Sequence, residues 1–227
     1  MKKRIIVLSL GGSLIIPDSV NLKYLKEFKK VILKNSKKYK FVVVCGGGSL
    51  ARKYISALEN KSFKFKSLAG IAATRINARF MNYFFDIEPV YGIPHTFRTL
   101  KKYLRKKGIV FCGALEYKSE QTSDSTSAEI ARKFKCDFIN LTDVSGLYDK
   151  NPKKFKNAKF ISSISWKEFY KMANAIKFKP GQHFVLDQTA SKIIMEGKVR
   201  TYIVGKNVVQ LDNLLNGKKF KGTSVFG

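Results

Sequence analysis

Twice in the first fifty residues a buried-strand signature runs straight into glycines. Arg4–Ser13 reads RIIVLSLGGS and Tyr39–Ser49 reads YKFVVVCGGGS. A short aliphatic, β-branched run bounded by glycine reads as a strand buried on both faces. Helical spacing follows each one: Leu22, Leu25, Phe28 and Ile32 after the first, then Leu50, Tyr54, Ile55 and Leu58 after the second. Asp18, Ser19 and Asn21 are the candidate caps of the first helix. Two such units set two amide-rich turns side by side at the carboxyl edge of one parallel sheet. Glycine lets a backbone approach a ligand closely, and a helix start aims free amides and a positive dipole end at the same spot, which attracts phosphate. Over Gly11-Gly12-Ser13 alone, an ordinary strand-to-helix turn would look the same. Gly46-Gly47-Gly48 cost conformational entropy and add no packing, which favours a ligand role there. Arg52, one turn into the second helix, can reach a phosphate in that loop; a solvated helix face is the alternative.

The chain continues in the same alternation. A helix is expected over Ser67–Phe85, with Arg75 and Arg79 on one face, and a short basic helix over Thr96–Lys107. Ile109–Cys112 is a third strand, ended by Gly113-Ala114, and a polar loop leads from Leu115 to Ser123. Thr122, Ser123 and Asp124 stand at the start of a helix reaching Phe134, as N-cap chemistry or as hydroxyls and amides offered to an anion. A fourth strand, Cys136–Leu141, gives way to Thr142, Asp143, Tyr148 and Asn151, which could grip a nucleobase or simply form a turn. Ile161–Ile164 is a candidate strand. Ser165 caps a helix carrying Trp166, Phe169, Tyr170 and Ala173, and Phe178–Phe184 is a loop. Asp187 opens a helix over Gln188–Glu196; Thr201–Val204 is the last core strand, and a tail strand begins at Gly222-Thr223.

Composition bounds the reading. The chain has 227 residues, 44% of them hydrophobic, which suits one large α/β unit. No apolar run approaches the roughly 18 residues of a membrane span. The run after the basic amino terminus is too short for a signal peptide, so a cytoplasmic location is expected. Cys45, Cys112 and Cys136 are scattered and read as thiols rather than a metal site or a disulfide framework. The net charge of +28 comes from lysines spread along the whole chain. A nucleic-acid binder concentrates its cations on an arm, helix or groove, and no segment is set apart here. A general lysine bias is the better reading, and its field favours anionic small molecules such as nucleotides.

Seven segments occur in an informative order: VLSLGGS (Val7–Ser13), VVVCGGGSLARKYI (Val42–Ile55), GIAATRINAR (Gly70–Arg79), Thr122-Ser123-Asp124, INLTDVSGLYDKNPKKFKNAK (Ile139–Lys159), LDQTASKII (Leu186–Ile194) and Gly222-Thr223. This order resembles the amino acid kinase superfamily and, within it, the archaeal type of uridylate kinase. The resemblance implies a three-layer α/β/α sandwich around a mostly parallel sheet, forming one domain. Its acceptor-side portion would cover about residues 1–135 and its ATP-side portion about 136–227. It implies transfer of the γ-phosphoryl group of ATP to UMP with Mg²⁺, and assembly as a hexamer. On the ATP side it implies Ser9, Gly11, Gly12, Ser13, Gly48 and Arg52 near the phosphates. Thr142, Asp143, Tyr148 and Asn151 would hold the adenosine. On the UMP side it implies Gly47, Ser67, Ala114, Gln121, Thr122 and Ser123. Lys192, Arg52 and Asp187 would serve the transfer itself.

The departures are specific. Ser9 stands where many relatives carry a lysine, leaving Lys192 and Arg52 as the candidate cations. Ser67 stands where an aspartate usually meets the acceptor ribose. Leu115–Gln121 lacks the usual glycine and histidine pattern, and Ser145 replaces an aspartate. The alternatives are a relative with another acceptor such as isopentenyl phosphate, and a nucleotide-binding protein with weakened catalysis. A nucleic-acid module would rest on charge alone. No general base is required, because the acceptor is already an anionic phosphate.

Overall fold

The computed structural model describes residues 3–87, 92–117, 122–175 and 185–227. Gln121, His183 and the expected loop at 178–184 lie outside the described residues. The centre of the molecule is β1 (Arg4–Leu10), whose last five residues are buried. It pairs in parallel with β2 (Tyr39–Cys45) on one side and β4 (Asp137–Leu141) on the other. Parallel strands are joined by helical crossovers that cover both faces, which is why these runs are apolar throughout. β3 (Ile109–Cys112) continues the sheet beyond β2, and β8 (Thr201–Val204) continues it beyond β4. β9 (Gly222–Val225) is antiparallel to β8, and β7 (Ser163–Ile164) closes that edge. The seven-stranded order is β3-β2-β1-β4-β8-β9-β7. A two-stranded ribbon, β5 (Leu147–Tyr148) with β6 (Phe160–Ile161), stands apart.

The pleat of β1 divides the core. Ile6, Leu8 and Leu10 face one helical layer and Val7 faces the other. The first layer holds α2 (Leu22–Asn35), α4 (Phe63–Phe84) and α9 (Val208–Leu215), through Phe28, Met81 and Leu211 among others. The second holds α5 (Phe97–Lys106), α6 (Ser123–Phe134), α7 (Trp166–Ala175) and α8 (Gln188–Glu196), through Leu100, Ala128, Phe169 and Ile194. The expected sandwich is the observed one. Two short helices, α1 (Gly12–Ile15) and α3 (Gly48–Ser56), leave directly from the glycine turns.

The elements agree with the sequence reading, with differences of detail. Asn21 is the cap of α2, accepting the Tyr24 amide at 3.3 Å. Helix α4 begins four residues before the expected Ser67, because nothing in Phe63–Lys66 interrupts the helix and Ser62 takes the extended cap conformation. The segment expected as one strand at Ile161–Ile164 splits into β6 and β7, which join different sheets. Helix α9 was not expected; its two turns are held by the Asn207 cap, which accepts the Val209 amide at 3.0 Å. Among the described residues no helix is long and apolar enough to cross a membrane.

Phe138 is wholly buried on the second face of β4. Phe138→Ala is expected to cost about 3–5 kcal/mol of stability, read as a shifted urea midpoint at unchanged slope.

Candidate active site

The strand order reverses beside β1: the chain runs β1, β2, β3 to one side, then crosses to β4 on the other. A crevice opens at the carboxyl ends of strands at such a switch point. The two glycine turns meet there. Leu10 and Cys45 are register partners, so both strands reach their glycines at the same height. The Gly46 amide donates to the Leu10 carbonyl at 2.9 Å, and the Ser49 amide to the Ile16 carbonyl at 3.0 Å. A methyl group on Gly12 would fall 2.0 Å from the Gly48 nitrogen, and one on Gly46 would fall 2.4 Å from the Gly12 nitrogen. Gly48 has φ +61°, where a side chain is strained in any case. No side chain fits between the turns. The starts of α1 and α3 meet here, with the Leu14 amide donating to the Gly11 carbonyl at 2.8 Å. The Gly11 amide is spent on the Leu141 carbonyl at 3.0 Å, tying the cradle to β4.

Two cavities are lined by residues next in the chain to these elements, one by Ala51 of α3 and the other by Thr142 after β4. One, of about 310 Å³, is lined by Ser67 of α4, Ala114 after β3, Thr122 and Ser123 at the head of α6, and Asp187. The expected acceptor-side residues within the described chain, Gly47 aside, therefore come together from three separate elements. None of the described residues lining this cavity is a cation. The Ala114 backbone is fixed on both sides: its amide donates to Thr74 Oγ1 at 3.0 Å, and its carbonyl accepts Arg75 Nε at 3.2 Å. The other cavity, of about 570 Å³, is lined by Thr142, Asp143, Tyr148 and Asn151, with Lys150 and Lys153 on its loop. These are the residues expected around an adenosine. Lys153 pairs with Asp143 across this loop. Val185 lines the second cavity and Asp187 the first, so the 185–187 segment stands between them.

Asp187 caps α8, accepting the Ala190 amide at 2.7 Å, and it also accepts the Thr122 hydroxyl. Thr122 in turn caps α6 in a capping box with Ser125. The heads of α6 and α8 are thereby joined at the mouth of the smaller cavity. Burial pushes the Asp187 carboxyl above its usual range against these donors. Ser9 is fully buried and donates to Asp124 Oδ1 at 2.7 Å. It braces the head of α6 rather than facing the cradle. Burial, then the nearby Asp187 charge, pushes Asp124 up to about 7.

The candidate cations do not enter this cradle. Arg52 is exposed on α3 and donates to the Pro17 carbonyl at 3.0 Å, not to the glycine loop. Lys192 is an exposed residue of α8 whose Nζ lies 3.9 Å from Glu196. Four residues outside the expected site set shape the site. Asn77 holds the Gly46 carbonyl at 2.7 Å, and Thr74 holds the post-β3 loop. Lys153 and Asp124 complete the set. Asn77 and Thr74 left one signal, polar side chains among the buried residues of α4. Among the described residues no group of three or more His, Cys, Asp or Glu side chains converges to hold a metal.

A mostly parallel sheet covered on both faces, with a double-glycine cradle at its switch point, places the chain among α/β proteins that bind ligands at the carboxyl ends of their strands. The chain belongs to the amino acid kinase family, whose model matches residues 4–205. It is 32% identical to a uridylate kinase of Thermococcus kodakarensis over 217 residues, 94% of this chain and 96% of that one. A uridylate kinase of Thermococcus sibiricus is 33% identical over 226 residues, 97% of this chain and 98% of the relative. The crystal structure of uridylate kinase from Archaeoglobus fulgidus superposes with a TM-score of 0.83 at 30% identity, covering 97% of this chain and 99% of that one. UMP kinase from Ureaplasma parvum, at 22% identity and TM-score 0.78, shares the fold.

The cradle carries a sharp expectation. Gly12→Ala is expected to destabilise the protein by about 1–3 kcal/mol, since backbone must move to admit the methyl group. Gly108→Ala, where a methyl group meets nothing within 4 Å, is expected to stay within about 0.5 kcal/mol. Urea unfolding of the two variants checks the difference.

Proposed function

We propose that the protein transfers the γ-phosphoryl group of ATP to UMP, giving UDP and ADP. The observation that carries this reading is the pair of cavities that gather the two expected residue sets, in a chain that matches uridylate kinases over almost its whole length. Phosphoryl transfer needs alignment and neutralisation of spread negative charge more than it needs a nucleophile. The ATP-side assignment is the cavity of Thr142, Asp143, Tyr148 and Asn151, with the phosphates over Gly11, Gly12, Ser13 and Gly48. The UMP-side assignment is the cavity of Ser67, Ala114, Thr122 and Ser123, with Gln121 beside them and Gly47 between the substrates. Magnesium accompanies ATP on its phosphate oxygens and neutralises charge there. Lys153, held by Asp143 beside the nucleotide cavity, is the cation best situated to exchange a carboxylate for a phosphate. Arg52 and Lys192 remain candidates through side-chain motion, with Asp187 orienting the head of α8. The acceptor-side and ATP-side portions divide near residue 135. A cytoplasmic location suits a kinase of free nucleotides.

With ATP and Mg²⁺, UMP is expected to be converted to UDP faster than CMP, dUMP or isopentenyl phosphate is phosphorylated. Coupled detection of ADP and chromatography of UDP give the ranking. No UDP under any condition would remove the reading, and preference for isopentenyl phosphate would replace it.

The assembly reading is a homo-oligomer, with the hexamer implied by resemblance. It is supported by an outward stripe on α4. Phe65, Leu68, Ile76 and Tyr83 are exposed at helical spacing. The stripe runs about 27 Å along the helix and Arg79 is its one charge. A long apolar stripe on so basic a chain marks an interaction surface. Ile76→Glu is expected to lower the particle mass in sedimentation without unfolding the chain; an unchanged mass would exclude this face.

A further inference from the structure

The smaller cavity is lined by surfaces of two kinds. Phe63, Ser67, Gly70, Ile71 and Thr74 of α4 all line it. Their spacing puts them on one helical face, so the cavity follows α4 for about 16 Å. Ala51 and Ile55 of α3 add to that largely apolar side. Apart from Ala114, the rest of the described lining comes from the heads of α6 and α8. It consists of Thr122, Ser123, Asp187, Gln188 and Thr189, all polar.

The row on α4 has a cradle end and a far end. A methyl group on Gly47 would fall 2.4 Å from the Ala51 side chain and 3.6 Å from that of Ala73, the neighbour of Thr74. The far end is Phe63, the first residue of α4. Its ring is the only aromatic one among the described lining residues, and the residue is 60% exposed. Single exposed apolar side chains are common and call for no ligand. Phe63 differs in lining a cavity whose other end abuts the glycine cradle.

We propose that Phe63 is the platform on which the pyrimidine base of the acceptor nucleotide stacks. The inference rests on the acceptor reading of this cavity. A phosphate at the cradle fixes one end of the nucleotide beside Ala51 and Thr74, and ribose and base then extend along the row towards Phe63. A pyrimidine has a π face and a polar edge, and the cavity offers a surface for each. The Phe63 ring takes the face, with Ile55 and Ile71 continuing the apolar side, while the polar heads of α6 and α8 meet the edge. Stacking is tolerant of base identity, because every base has a π face. Phe63 therefore supplies affinity, and the choice between uracil and cytosine falls to the polar side.

Steady-state kinetics and fluorescence test the platform. Phe63 lies outside the core, so its replacement leaves the packed layers intact. Phe63→Ala is expected to raise KM for UMP about tenfold, within the range for losing one base–aromatic stack. KM for CMP rises by the same factor. Values of kcat and of KM for ATP stay within about twofold, since the ring binds ground state and transition state alike. Phe63→Trp keeps a stacking ring and is expected to hold KM for UMP within about threefold of the wild type. Its indole is also a direct probe: UMP without ATP quenches its emission, and ribose 5-phosphate does not. The one native tryptophan, Trp166, lines a separate groove beside the start of β4 and gives the wild-type background.

An unchanged KM for UMP in Phe63→Ala would overturn the platform. So would F63W emission that ignores UMP while calorimetry shows UMP bound. Equal quenching by ribose 5-phosphate would overturn the assignment to the base. A fall in particle mass of Phe63→Ala with KM unchanged would give the ring to contacts between copies of the chain instead. Calorimetry of the wild type separates the two levels of failure: if it binds no UMP, the acceptor reading falls before any substitution is made, and the platform falls with it.

Discussion

Everything in this protein hangs on a backbone contact that has room for no side chain. Gly12 and Gly48 touch because β1 and β2 are parallel neighbours whose register brings Leu10 level with Cys45. One residue of slippage would stagger the turns and turn every side chain of a strand to the other face. The buried alternation of Leu8 and Val7 into separate layers forbids that slip. The core therefore sets the register, the register brings the glycines together, and the glycines bring two helix starts to one point. Asn77, reaching from α4 to the Gly46 carbonyl, secures the cradle from a third direction.

The strands were legible because burial on both faces leaves a local mark, an unbroken apolar run ended by glycine. Helix α9 was missed because Val208 and Val209 are β-branched and the two turns owe their helicity to the Asn207 cap and to packing against α2. The site was legible unevenly. The loop proposed for the ATP side is contiguous from Thr142 to Asn151, so a single segment of sequence covers it. The cavity proposed for the acceptor draws Ser67, Ala114 and Thr122 from three elements, and only the order of segments shared with a known family could assemble them. Arg52 shows the limit of positional reasoning. Its place one turn into α3 was read correctly, but the direction of its side chain depends on the Pro17 carbonyl, which sequence spacing does not encode. The bond between Ser9 and Asp124, 115 residues apart, left no local trace at all.

The charge of the chain and the charge of its cleft are at odds. A formal +28 surrounds a crevice whose smaller cavity has no described cation and whose best-ordered polar groups are carboxyls. The two serve different distances. Spread lysines raise the concentration of anions near the surface, but their influence fades within a Debye length of about 8 Å at physiological salt. Within the crevice, orientation falls to groups with fixed direction, which are amides at helix starts and hydroxyls locked by caps. A lysine on a long flexible stem would bind phosphate more strongly but orient it less. Asp187 and Thr122 illustrate the exchange. By capping α8 and α6 and bonding to each other, they join two helix starts at the cavity mouth without a cation.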